Sequence, residues 1–180
     1  EVVEGPGSVL YGSDAVGGTV NVLTIDPPEG RQFQEKAYGR YAGAEDSLTG
    51  RAEFSGAIVE PAKLSVIVGL SRRNFGDVEA GRGMGVQPYT GYDEMDGDIK
   101  LVYGVAPGSK LVFAYQQVSQ NDVPRTHKTI YAKSYRESTA GTERLRELDQ
   151  DRRLTYLQYH TDRLGGFVEG ATFSFSFQSQ

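Results

Sequence analysis

Ala171-Thr172-Phe173-Ser174-Phe175-Ser176-Phe177 sends an apolar side chain to one side and a hydroxyl to the other at every step. Period two is the mark of a β-strand with unlike faces. The same alternation recurs upstream. Thr155, Leu157 and Tyr159 oppose Tyr156, Gln158 and His160, and Leu111, Phe113 and Tyr115 oppose Val112, Ala114 and Gln116. Ile99, Leu101, Tyr103 and Val105 oppose Asp98, Lys100, Val102 and Gly104; Leu64, Val66, Val68 and Leu70 oppose Ser65, Ile67, Gly69 and Ser71. Leu48, Ala52, Phe54 and Ile58 oppose Thr49, Arg51, Glu53 and Ser55, and Ala37, Gly39, Tyr41 and Gly43 oppose Tyr38, Arg40 and Ala42. The pattern predicts seven strands and a mainly β chain.

Averages conceal this order. Mean hydropathy is −0.45 and only 38% of residues are hydrophobic, yet the chain holds 11 Tyr and 8 Phe. A disordered chain is poor in aromatics, so disorder does not fit. With no cysteine, disulfides and thiolate metal sites are excluded. A net charge of −5 argues against a nucleic-acid partner, which leaves a basic footprint. No apolar run reaches the roughly 20 residues of a membrane helix, but a membrane β-strand needs only about 9–11.

The connections discriminate between β architectures. Residues 44–47, 60–63, 106–109 and 164–166 read as tight turns, whereas 74–95 and 119–151 are long. Outer-membrane barrels alternate short turns with long outer loops, a pattern followed here after the second strand; 44–47 is short on the side where loops should be long. A structureless loop of roughly 30 residues is unusual in a compact soluble domain. Alternation by itself also suits a water-soluble sandwich, so a soluble carbohydrate-binding β-sandwich is the alternative reading. Seven strands are too few for a barrel, which takes about eight or more. Glu1-Val2-Val3 and Phe173 to Gln180 both read as the inside of strands, so the expectation is a chain that continues at both ends.

The opening segment has its own character. Glu1-Val2-Val3-Glu4-Gly5-Pro6-Gly7-Ser8, then Leu10-Tyr11-Gly12-Ser13, then Ala15-Val16-Gly17-Gly18-Thr19-Val20-Asn21-Val22-Leu23-Thr24 joins short apolar pieces through glycine turns. Glycines here permit positive φ or close backbone approach, and Pro6 suits a bend. Asp26-Pro27-Pro28-Glu29-Gly30 then breaks regular structure. A phosphate-loop reading of 12–19 fails, because Gly18 stands where the lysine must be. The segment resembles the end of the plug domain of TonB-dependent outer-membrane receptors, carried by Gly5, Pro6, Leu10, Tyr11, Gly12, Gly17, Gly18 and Asn21. It departs from that family at Glu4, where a basic residue is usual; this puts in doubt the ion pair such a residue would make.

The resemblance implies that residues 1–30 are the C-terminal end of an α/β plug and its linker. It implies that 31–180 are the first strands of a large antiparallel transmembrane β-barrel, about 22 strands when complete. It further implies a non-enzymatic role without a cofactor: TonB-dependent uptake of a scarce nutrient, such as a ferric siderophore, haem or cobalamin, across the bacterial outer membrane. The partners would be the TonB complex, through a segment upstream, a small-molecule ligand such as a metal chelate, and outer-membrane lipid. Outer-loop candidates for ligand contact are Arg82, Tyr89, Tyr92, Arg125 and His127, since aromatics and Arg suit a bulky anion. Packing is the competing role for the tyrosines, and a lone His127 is a poor metal site. Residues 142–148 read as a short surface helix. Arg40, Arg51, Glu53 and Lys100 fall on the polar strand faces, where they either contact the plug or simply make a wet interior.

Overall fold

The computed structural model describes residues 2–5, 17–20, 22–28, 33–59, 63–81, 83–134, 139–162, 164–165 and 168–180. The chain is mainly β, with no helix among these residues. In order, the strands are β1 (Val2–Glu4), β2 (Gly18–Val20), β3 (Gln34–Ala42), β4 (Ser47–Val59), β5 (Leu64–Phe75), β6 (Glu79–Ala80), β7 (Gly85–Val86), β8 (Tyr92–Ala106), β9 (Ser109–Pro124), β10 (Glu147–Thr161) and β11 (Ala171–Ser179). Seven of them form one antiparallel sheet in the order β3-β4-β5-β8-β9-β10-β11. Each expected strand is therefore present, beside its neighbour in sequence. The β6–β7 pair is a hairpin inside the connection from β5 to β8, and β1 pairs with β2 separately.

The strands run further than alternation indicated. β5 and β8 pair out to Phe75 and Tyr92, and β9 and β10 out to Pro124 and Glu147. The long loops shrink to 76–91 and 125–146. The expected helix over 142–148 is absent: Glu143 bridges Thr129, while Glu147 and Leu148 lie on β10. The physical reason is that these extensions are held by the backbone ladder and by polar cross-strand pairs. Asn74 Nδ2 donates to Asp93 Oδ1 at 2.9 Å, and Ser119 Oγ to Asp151 Oδ1 at 2.6 Å. Neither needs an apolar face, so hydrophobic periodicity is blind to them.

At the opposite end, Pro107-Gly108 makes a two-residue turn with Gly108 at φ 75°, and Ala106 pairs with Ser109 as expected. The turn expected at 164–166 lies partly outside the described residues, at Gly166; β10 ends at Thr161, β11 begins at Ala171, and Asp162 N donates to the Gly108 carbonyl at 2.8 Å. Residues 60–62 lie outside the described set. Hereafter 76–91 and 125–146 mark the loop end of the sheet, and 107–108 the turn end.

Register assigns the faces. Gly56, Val66, Leu101, Phe113, Leu157 and Phe175 share one row on the apolar side. Ser55, Ile67, Lys100, Ala114 and Tyr156 share a row on the polar side. Ile58 and Val105 sit at register shifts near the turn end, where a β-bulge interrupts strict alternation. The apolar side is largely bare: Phe175 is 71% exposed and Leu48 62%, although Val66 is covered by its neighbours. Buried apolar residues are few and small, namely Ala57, Val66, Ile67, Val112 and Ala114.

The polar side carries fixed charge pairs. Arg51 on β4 spans β5 to reach β8, with Nη1 at 2.7 Å and Nη2 at 3.1 Å from the Asp98 carboxylate. The fork also touches Ser71 Oγ at 3.2 Å and Glu53 at 3.3 Å. Gly69 lies under this crossing, and a Cβ there would overlap the Arg51 guanidinium. Bidentate Arg–carboxylate pairs are among the stronger hydrogen-bonded contacts. We expect Gly69→Ala to displace Arg51 from Asp98 and to destabilise the sheet by about 1–3 kcal/mol. Denaturant unfolding of the full-length protein checks this; an unchanged midpoint would contradict it.

Candidate functional site

Two regions gather chemistry. The first is the polar face of β8–β10, where the extended segment 22–28 lies across the strands. Such a stretch, with prolines at Pro27 and Pro28, forms no ladder and must find partners for its carbonyls. Lys100 supplies them. Its Nζ donates to the Thr24 carbonyl at 3.2 Å, to Thr24 Oγ1 at 2.9 Å and to the Ile25 carbonyl at 3.4 Å. It also pairs with Asp26 Oδ1 at 2.5 Å, and the residue is only 8% exposed. Lys110 on β9 reaches Asp26 Oδ2 at 3.0 Å, and Thr24 Oγ1 lies 3.0 Å from Tyr156 Oη on β10.

Burial pushes the Asp26 carboxyl up, but the ammonium groups of Lys100 and Lys110 act more strongly together and hold it below its ordinary value. Beside the segment is a cavity of about 820 Å³, bordered by Gln116, Arg152, Leu154 and Gln158. His160 borders it too; its Nδ1 lies 3.1 Å from Thr172 Oγ1 and its Nε2 3.3 Å from Gln158 Oε1.

Further charge lies toward the loop end. Arg73 pairs with Glu94 and, at 2.7 Å, with Asp96. Glu94 is buried and also accepts from Gln120. Of the polar-face residues singled out from the sequence, Lys100 contacts the 22–28 segment, Arg51 and Glu53 pair within the sheet, and Arg40 lies 3.6 Å from Glu45.

The second region is the loop end. Asp77 accepts from Thr90 N at 2.8 Å and Gly91 N at 3.0 Å, closing the base of loop 76–91. The Thr90 amide in particular lowers the Asp77 carboxyl, against a smaller effect of burial. Glu79 N donates to the Ala44 carbonyl at 2.9 Å, so the loop also leans on the β3–β4 turn. Tyr89, at φ 59°, packs its ring 4.5 Å from that of Tyr131. Lys133 Nζ donates to the Met84 carbonyl. The two long loops thus hold each other.

Tyr89 and Arg125, both expected at a ligand site, meet here with Tyr131, Arg144 and Arg146. The recess between them is about 10 Å³, room for one water. Tyr92 is elsewhere: it stacks on Phe75 at 4.7 Å across β5 and β8. His127 is exposed on a turn, and among the described residues no group of His, Cys, Asp or Glu is placed to hold a metal ion. Arg82 lies outside the described residues.

In the opening segment, Val2 pairs with Val20 and Glu4 with Gly18, bringing Gly5, Gly17 and Gly18 together. Gly5 takes φ 92°, and its N–H donates to the Gly17 carbonyl at 3.3 Å. A Cβ on Gly18 would come 3.0 Å from the Val3 carbonyl oxygen. Pro6, Leu10, Tyr11, Gly12 and Asn21 lie outside the described residues. Sequence reasoning missed Thr24, Asp26, Lys110 and Tyr156 as a set. The available signal was a proline-rich segment with unsatisfied carbonyls facing strands that carry lysines on their polar side. No family model matches the chain, and no curated protein matches it.

The two lysines differ in weight. Lys100 is buried and hydrogen-bonded to charged and neutral oxygens, so its loss costs about 1.5–3 kcal/mol of docking. The Lys110–Asp26 pair is half-exposed and is worth under about 1 kcal/mol. A spin label at Leu23 should become mobile in Lys100→Met and stay immobilised in Lys110→Met. Because the Asp26 carboxyl is lowered in the fold, its contribution is complete above the ordinary value of 3.8 and fades as pH falls below it. The same label should therefore stay immobilised from neutral pH down to about 4 and loosen only below that.

Proposed function

We propose that this chain is part of a TonB-dependent receptor that takes up a scarce nutrient across the bacterial outer membrane. Residues up to 28 would be the plug exit, and the seven-strand sheet a section of barrel wall. The observation that carries this reading is the unlike treatment of the two faces. The apolar face is largely uncovered, whereas the polar face holds part-buried charge pairs and a docked chain segment. A lipid-facing wall with a filled, wet lumen has this arrangement. In a soluble sandwich, Phe173, Phe175 and Phe177 would lie under a second sheet. Among the described residues the other two sheets have only two short strands each.

The slope of the apolar band gives independent support. On β11 the band centres on Phe175, in the row that contains Gly56 of β4. On β3 it centres on Gly39, whose partner is Gly50. The band therefore climbs about six residues over six strand spacings, roughly 20 Å in 29 Å, a slope of about 35°. A band level with a membrane would run at this angle to the strand rows if the strands tilt as in barrels, by about 35–45°. On β8 the apolar positions from Met95 to Tyr103 cover roughly 26 Å, close to the band height of outer-membrane barrels.

The glycine-rich opening supports the plug assignment through its resemblance to that family and through the Gly5 and Gly18 geometry. The loop-end group of Tyr89, Tyr131, Arg125, Arg144 and Arg146 then faces outside, where an anionic metal chelate would first arrive.

The test is sidedness in intact cells. In the full-length protein, cysteines at Val86 and Thr139 should react with a membrane-impermeant maleimide. A cysteine at Pro107 should react only after the outer membrane is permeabilised. Labelling at Pro107 with Thr139 silent would reverse the orientation, and a protein absent from the outer membrane would end the reading.

A further inference from the structure

A second cavity, of about 540 Å³, opens on the polar face at the turn end among Ser65, Gly108 and Asp162. The larger one runs the other way, past Gln116 and Leu154 to Arg152. Asp26, Lys110 and His160 line both. The Asp26 side chain thus stands where the two spaces meet. Among the described residues it is the one carboxylate lining the larger cavity, against Lys100, Lys110 and Arg152.

The mounting of these groups is unequal. Lys100 and Lys110 project from β8 and β9, which pair along nearly their full length. Asp26 belongs to a segment whose hydrogen bonds to the strands, among the described residues, run through the side chains of Lys100, Lys110 and Tyr156. Withdrawing it breaks no sheet ladder. It leaves two ammonium groups on a fixed wall, without the carboxylate that bridged them.

We propose that Asp26 is a removable internal counter-ion, which closes a cation-lined path along β8–β10 and yields its place to carboxylate-bearing solutes when segment 22–28 moves. Asp26 itself defines the ligand chemistry. One oxygen faces each lysine, at 2.5 and 3.0 Å, so a solute carboxylate satisfies the same pair in the same way. Arg152 and Gln116 supply further donors along the larger cavity. The movement of the segment rests on the receptor reading; the occupancy of the lysine pair does not.

The experiment is equilibrium binding of radiolabelled succinate to the full-length protein in detergent. Asp26→Ala should bind succinate about tenfold more tightly than the wild type, the scale of a charge-assisted hydrogen bond. Adding Lys110→Met to that variant should take back part of the gain, up to about fivefold, as expected for a half-exposed pair. Equal affinity in wild type and Asp26→Ala, or a gain left whole by loss of Lys110, would overturn the proposal. Should Asp26→Ala fail to assemble, Asp26→Asn keeps the side-chain shape and must show a gain, and its absence overturns the proposal equally. Failure of the receptor reading would appear instead in the labelling at Thr139 and Pro107, which neither substitution touches.

Discussion

Side chains leave a β-strand alternately to opposite sides, and in this protein the two sides stay chemically unlike across seven neighbouring strands. A slip of one residue in any pairing would carry phenylalanines to the charged side and charges to the apolar side. Register is thus over-determined from β3 to β11. The sheet needs no thick core for this, which is why its buried apolar residues are few and small. Main-chain hydrogen bonds hold the strands together, and the unlike environments on either side hold them in step.

The polar side has a second constraint. Charges in a partly dry space cost free energy unless paired and hydrogen-bonded. Arg51 answers with a fork onto Asp98 that also reaches Glu53, Arg73 with Glu94 and Asp96, and Lys100 with the carbonyls and carboxylate of segment 22–28. The third solution is of a different kind, since its partners come from outside the sheet. Among the described residues, the partners of the Lys100 ammonium all belong to that segment, and Lys100 in turn takes up the Thr24 and Ile25 carbonyls. Docking and burial of charge are one event. At the loop end, the Tyr89–Tyr131 contact and the Lys133–Met84 hydrogen bond make two loops a single unit, with a recess of about 10 Å³ beside Tyr89.

Much of the sheet was legible in the sequence. The expected strands lie within observed ones except at Gly43, which falls in the turn after β3, and the two-residue turn at Pro107-Gly108 follows from a proline and a glycine at positive φ. The ends of the strands were not legible, because beyond the apolar band pairing rests on contacts such as Asn74–Asp93 and Ser119–Asp151. The same blindness produced the expected helix over 142–148, where a charged stretch is in fact partly strand. Of the loop candidates, Tyr89 and Arg125 came together, whereas Tyr92 serves Phe75. Composition identifies a Tyr or an Arg, but not what lies beside it.

By itself the sequence determined that seven segments are strands and which side each residue takes, because backbone geometry imposes period two whatever the neighbours are. Only the tertiary structure decided that Asp26 stands between Lys100 and Lys110, that Gly69 leaves room for Arg51, and that the apolar band climbs across the sheet. Those outcomes depend on which strands adjoin and at what register. They join residues 18 to 84 positions apart, a relation that no local pattern of the chain contains.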